Sequence, residues 1–112
     1  MARTIKGIDR QVISERPGQR VTRYRLTPGR QIPWHYHSHV ADSYLCEEGE
    51  FLIEQRDPVR SMRLGPGDMA EVSERAVHRV LNPGPTQCTF RLTQGPGIYD
   101  FNLVQEEHDD PE

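Results

Sequence analysis

A chain of 112 residues and 12.9 kDa has the length of one domain, and its longest uninterrupted apolar runs, Tyr44–Cys46 and Phe51–Ile53, are far below the ~20 residues of a membrane helix. No charged-then-apolar leader opens it, so the sequence reads as a soluble cytoplasmic protein. The net charge of −3 comes from the last eight residues, which hold five carboxylates and no Lys or Arg, and the nearly neutral remainder offers no basic stripe for nucleic acid.

Taken in chain order, residues 1–19 are expected to form an N-terminal strand or arm, since Ile5, Ile8 and Val12 suit a short helix or an edge strand equally. Beyond Pro17-Gly18, turn-forming pairs recur at Pro28-Gly29, Glu48-Gly49, Asp57-Pro58, Gly65-Pro66-Gly67, Asn82-Pro83-Gly84 and Gly95-Pro96-Gly97. Between them lie β-prone pieces at Arg20–Leu26, Trp34–His39, Asp42–Glu47, Phe51–Arg56, Met69–Val72, Val77–Leu81 and Cys88–Thr93. Evenly spaced short strands of this kind predict a sandwich or small barrel over residues 20–104. Tyr99–Val104 is expected as a last strand or arm, and the acidic tail, 105–112, as disordered. Cys46 and Cys88 each sit in an apolar stretch and are expected as reduced, buried thiols.

Period-2 alternation assigns faces. Tyr24 and Leu26 alternate with Arg23 and Arg25, which turns Tyr24 inward. His35, His37 and His39 share a face opposite Trp34 and Tyr36, and Asp42, Tyr44 and Cys46 share one on the next strand. Alternate histidines on a strand stand about 7 Å apart at Cα, close enough to converge on one ion. Asp42 follows five residues after His37, and a returning strand can bring it to the same place. Imidazole with carboxylate suits Fe, Zn, Mn, Ni or Cu rather than Ca or Mg. Trp34 and Tyr36, on the far side, suit a contact between sheets or between copies.

Gly29, five residues, His35-x-His37, four residues, Asp42, six residues, Gly49 resembles the first motif of the cupin superfamily, with aspartate where glutamate is usual. Gly67, five residues, Ser73-x-Arg75, two residues, His78, three residues, Asn82 resembles the second, with Ser73 and Arg75 replacing its usual proline and glycine. The resemblance spans about residues 20–93. It implies an all-β fold, an antiparallel jelly-roll β-barrel (the double-stranded β-helix), usually dimeric and holding one divalent transition metal. Carried over, the metal ligands are His35, His37, Asp42 and His78.

The aspartate reaches about 1.3 Å less than glutamate would, so Asp42 is either a ligand on a closer strand or a base or orienter beside the metal. His39 is a general base at the barrel mouth or a solvated side chain, and Tyr44 is the other candidate base. Tyr24 lines the cavity or fills the core. Arg91 is expected to hold a substrate carboxylate bidentately or to lie on the surface. His108, in the tail, is expected to be inert. The resemblance implies a metal-dependent enzyme acting on a small organic molecule: a dioxygenase with iron, or an isomerase, lyase or cyclase with Zn, Mn or Ni. The alternative is a non-catalytic barrel that binds a metal or a small molecule such as a sugar.

Overall fold

The computed structural model describes residues 3–5 and 7–104. Eleven strands run in chain order: β1 (Arg3–Ile5), β2 (Ile8–Arg16), β3 (Gln19–Leu26), β4 (Gln31–Tyr36), β5 (Ala41–Glu48), β6 (Phe51–Gln55), β7 (Arg60–Leu64), β8 (Met69–Val72), β9 (His78–Leu81), β10 (Cys88–Gly95) and β11 (Asn102–Leu103). They form two antiparallel sheets, ordered β1-β2-β3-β10-β5-β8 and β11-β4-β9-β6-β7. The fold is an all-β jelly-roll barrel. Among the described residues no helix is long and apolar enough to cross a membrane. The acidic tail and His108 lie outside the described residues.

Alternation closes the barrel. Asp42, Tyr44 and Cys46 on β5, Phe51, Ile53 and Gln55 on β6, and Phe90, Leu92 and Gln94 on β10 all turn inward and are buried. The apolar members meet Leu26, Leu64, Val72 and Val80 in one core, where Phe51 stacks on Phe90 with ring centroids 4.5 Å apart. Cys46 and Cys88 are free and buried.

One segment settles an open alternative and another differs from the sequence-based reading. Ile8–Arg16, equally suited to a helix, is a strand paired with β3. Arg60–Leu64 was not expected as a strand; it lies at the sheet edge and pairs with β6 alone, so only Met62 and Leu64 carry an inward pattern.

Two turns need left-handed backbone. Gly49 joins β5 to β6 at φ 72°, where a Cβ would strike the Gln87 carbonyl and Cys88. Arg75 takes φ 68° in the turn before His78, and its amide donates to the His37 carbonyl at 2.7 Å. The turn therefore survives without the glycine, at the steric cost of a side chain in that region. Asn82 ties a third turn. Its buried amide donates to the carbonyls of Leu26 (2.7 Å) and Thr86 (2.9 Å), while its Oδ1 accepts from the Gly84 amide (2.7 Å).

Asn82→Ala leaves three backbone groups without that partner and is expected to lower the unfolding free energy by about 2–4 kcal/mol in urea titrations. Arg75→Gly should raise it by up to about 1 kcal/mol in the same measurement.

Candidate metal centre

His35 on β4 stands opposite His78 on β9 in the same sheet. A bulge between Ile32 and His35 inserts one extra residue on β4 and aims His35 inward. His37 follows just past the strand end. From the facing sheet, Asp42 projects from β5 beside Gln94 of β10. The ligand atoms of His35, His37, Asp42 and His78 all lie within 4.8 Å of one another, and all four residues are buried.

The outer nitrogen of each imidazole is committed. His35 Nδ1 lies 2.7 Å from the Pro33 carbonyl, His37 Nδ1 2.7 Å from that of Asp100, and His78 Nδ1 2.8 Å from that of Ala76. A carbonyl only accepts, so each Nδ1 carries the proton, and each ring in its neutral form presents an Nε2 lone pair inward. Asp42 Oδ2 lies 3.1 Å from His78 Nε2 and 3.3 Å from His37 Nε2. A carboxylate facing imidazole lone pairs at such distances needs a proton or a cation between them.

Three nitrogens and a carboxylate oxygen form a donor set for Zn, Fe, Mn, Ni or Cu. Two ligands about 2.1 Å from one ion lie at most about 4.2 Å apart, so a closure of about half an ångström brings the widest pair into range. The shorter aspartate does reach the group.

The electrostatics agree with a site built around one anion. Burial works to raise the Asp42 carboxyl, but without a cation in the group His37 and His78 can protonate at Nε2, and their hydrogen bonds and charges then outweigh burial and hold the carboxyl well below the usual carboxylate range. Burial, with the charge of His78, pushes His35 down to about 3. Burial pulls His37 down as well, and its bonds to Asp42 and Asp100 overcome that and raise it.

Of the other residues singled out in the sequence, Tyr44 is brought to the group. Its hydroxyl donates to Asp42 Oδ2 at 2.9 Å, and burial, followed by the Asp42 charge, raises the phenol well above its ordinary value. His39 is not part of the group. It is exposed. Tyr24 stacks on Phe90 at 5.3 Å and lines a cavity of about 670 Å³ at the barrel mouth. Arg91 falls on the outer face of β10, out of phase with buried Phe90 and Leu92, where it pairs with Glu47 at 2.9 Å. Trp34 faces outward and is covered by the guanidinium groups of Arg56 (4.1 Å) and Arg79 (4.8 Å).

Several neighbours of the site were not singled out. Gln94, in phase with Phe90 and Leu92, donates to Asp42 Oδ1 at 3.0 Å. Arg10 and Arg20 line the cavity, each in the register that turns Tyr24 inward. Phe101 stacks on His35 at 4.5 Å, and Tyr99 lies 5.5 Å from His37. No periodicity places these last two, because they sit on an irregular arm.

A protein-family model, described as a cupin domain, matches residues 22–93. Among solved structures, the chain is similar to a protein with a double-stranded beta-helix domain from Klebsiella pneumoniae subsp. pneumoniae MGH 78578, with 29% identity, 92% of this chain and 90% of that chain covered, and a TM-score of 0.79. KdgF from Halomonas sp. superposes at TM-score 0.74 with 19% identity over 88% of this chain and 89% of its own. An oxalate oxidase in complex with the substrate analogue glycolate superposes at 0.78 with 17% identity, over 90% of this chain and 57% of its own. At those identities the last two share the fold alone. No curated protein matches significantly.

A metal held by this group would compete with protons for the same three Nε2 atoms, so zinc affinity is expected to fall as the pH drops through the imidazole range and below it. Competition against a chromogenic zinc chelator at stepped pH checks this; pH-independent affinity would place the zinc elsewhere.

Proposed function

The chain belongs to the cupin domain family, and from that premise we propose that it is a metal-dependent enzyme acting on a small organic molecule at the barrel mouth, as a dioxygenase or as an isomerase, lyase or cyclase. The observation that carries this reading is the set of three imidazoles, each fixed through Nδ1 on a backbone carbonyl, turned with Asp42 to a common point beside a cavity. In this reading His35, His37, Asp42 and His78 hold one divalent transition metal. When bound, the metal supplies Lewis-acid polarisation of a substrate oxygen or, with iron, activation of dioxygen.

The chain's own residues divide the remaining work. Tyr44 keeps its proton and donates it to Asp42 Oδ2, which makes it a positioning residue rather than a base. Gln94 holds the other carboxylate oxygen. His39, exposed and outside the ligand group, is in this reading the candidate general base at the barrel mouth. Tyr99 and Phe101 cover the ligand rings and keep bulk water from them. Buried free thiols at Cys46 and Cys88 suit a reducing compartment such as the cytoplasm. The fold supports catalysis in a neighbour, the oxalate oxidase. The homodimer expected from the sequence belongs to this proposal.

One observation favours a second reading. Phe101 stacks directly on His35, and the four ligating side chains are almost fully covered. A site that stays shut in this way would be a non-catalytic metal-binding barrel.

Untagged protein purified without chelator is expected to carry a near-stoichiometric transition metal by mass spectrometry, and His35→Ala is expected to lose it. Iron directs the search to oxygen-consumption screens with diketones and phenols, and Zn, Mn or Ni to isomerase, lyase or cyclase assays. His37→Ala should abolish turnover while circular dichroism reports an intact barrel. Metal absent from the wild type would sink the reading, and turnover that survives His37→Ala would remove the site from catalysis. Asp42→Glu should retain metal while altering turnover, because the longer side chain displaces the carboxylate from Tyr44 and Gln94.

A further inference from the structure

The barrel-mouth cavity lies between β2, β3, β4 and the arm that leads to β11. Arg10 stands opposite Tyr24 in the β2–β3 register, and Arg20 precedes Tyr24 by four residues on β3, so both arginines share the inward face. No Asp or Glu lines this cavity among the described residues. Five arginines outside the cavity behave differently. Arg23, Arg25, Arg63, Arg79 and Arg91 each meet a carboxylate at 2.6–3.5 Å.

The two inward cations are close to aromatic rings instead. The Arg20 guanidinium lies 4.2 Å from the centre of the Tyr99 ring, and its Nε is buried with no hydrogen-bond partner. An N–H left in that state is costly, and a ligand oxygen would satisfy it. Arg10 sits near both phenols. Its charge works against the upward shift that burial gives Tyr24, and likewise that of Tyr99, which burial pushes to about 12. Ile32 and Phe101 complete an apolar wall.

We propose that Arg10 and Arg20 form an anion receptor at the barrel mouth, and that the molecule bound there is a small organic acid. Its carboxylate meets the guanidinium forks, and its apolar body lies against Tyr24 and Phe101. The guanidinium fork matches a carboxylate in two parallel bonds, and the cavity has the volume of a small-molecule site. Tyr99 and Phe101 also touch His37 and His35, so a ligand gripped here lies one ring away from the proposed metal. This names the substrate class for the enzyme reading above and rests on it for the location of the chemistry.

Calorimetric titration with benzoate, benzamide and phenyl phosphate tests the receptor, on wild-type protein and on Arg10→Gln, Arg20→Gln, Arg20→Lys and His37→Ala. Benzoate is expected to bind at least about tenfold more tightly than benzamide, which has the same shape without the charge. Each glutamine variant should weaken benzoate about tenfold or more with the metal content unchanged, Arg20→Lys should weaken it less than Arg20→Gln, and His37→Ala should still bind benzoate. Circular dichroism checks each fold, and Arg20→Lys carries the comparison if a glutamine variant fails to fold.

Equal affinity for benzoate and benzamide would overturn the proposal, as would no benzoate binding at millimolar concentration. Phenyl phosphate binding far more tightly than benzoate would overturn the carboxylate assignment. Benzoate binding that vanishes with the metal and ignores both arginines would place the carboxylate on the metal, overturning the receptor and leaving the metal reading intact. Arginine-dependent benzoate binding in a protein that never holds metal would do the reverse.

Discussion

Burying a carboxylate between two sheets removes it from water at a cost of several kcal/mol unless donors replace the solvent. Asp42 is in that position, and the surrounding structure supplies the replacements. Tyr44, two residues along the same strand, donates from below, and Gln94 donates from the neighbouring strand. His37 and His78 face one of its oxygens from the other sheet and add donors only when they are protonated at Nε2. The imidazoles are not free to rotate away, because each has its outer N–H on a main-chain carbonyl. A neutral imidazole held in that way offers its inner nitrogen only as an acceptor. With neutral imidazoles the arrangement therefore brings acceptors together around an anion, which a divalent cation would satisfy and further packing would not.

The same constraint divides the barrel interior. One end is filled by Leu26, Phe51, Ile53 and Phe90, which need only each other. The other is polar and roofed by the arm, which is held by few bonds. β11 contributes two paired residues, the Val104 amide reaches the Trp34 carbonyl, and the Asp100 side chain accepts from the Ser38 amide. By comparison, β10 lies between β3 and β5 with seven paired residues on each side. Strength of attachment thus falls towards the mouth. The arm that fixes the tautomer of His37 through the Asp100 carbonyl is attached more lightly than the central strands.

Where a side chain was positioned by strand alternation, the sequence was informative. His35, His37, Asp42, Tyr44 and His78 could be brought to one place by period-2 reading and motif spacing, and Gln94 was equally accessible by counting from Phe90. By the same count Arg91, out of phase with Leu92, falls on the outer face. Arg20 was readable on its own strand once Tyr24 had been turned inward, and Arg10 only if β2 was a strand, which Ile8, Val12 and their polar neighbours did not decide. Tyr99, Asp100 and Phe101 had no periodic signal. Their positions come from a crossing of the chain over the mouth, which is a tertiary fact. His39 shows the limit of alternation: β4 ends at Tyr36, so the parity that joins it to His35 and His37 lapses before it is reached.

The substitution of aspartate for the usual glutamate shows how the parts depend on one another. A side chain about 1.3 Å shorter should leave the carboxylate short of the histidines, yet Asp42 Oδ2 stands 3.1 Å from His78 Nε2. Its strand is central, flanked by β10 and β8 with Asp42 paired to both Gln94 and Val72, so the backbone is fixed close to the group. The shorter reach leaves room behind the carboxylate, and Tyr44 occupies it with a hydroxyl on the same face two residues along. A glutamate in this backbone would carry its carboxylate past that hydroxyl and away from the Gln94 amide, exchanging two fixed donors for extra reach. Asp42, Tyr44 and Gln94 therefore work as one unit, and the shorter acid is consistent with its neighbours rather than a defect in the site.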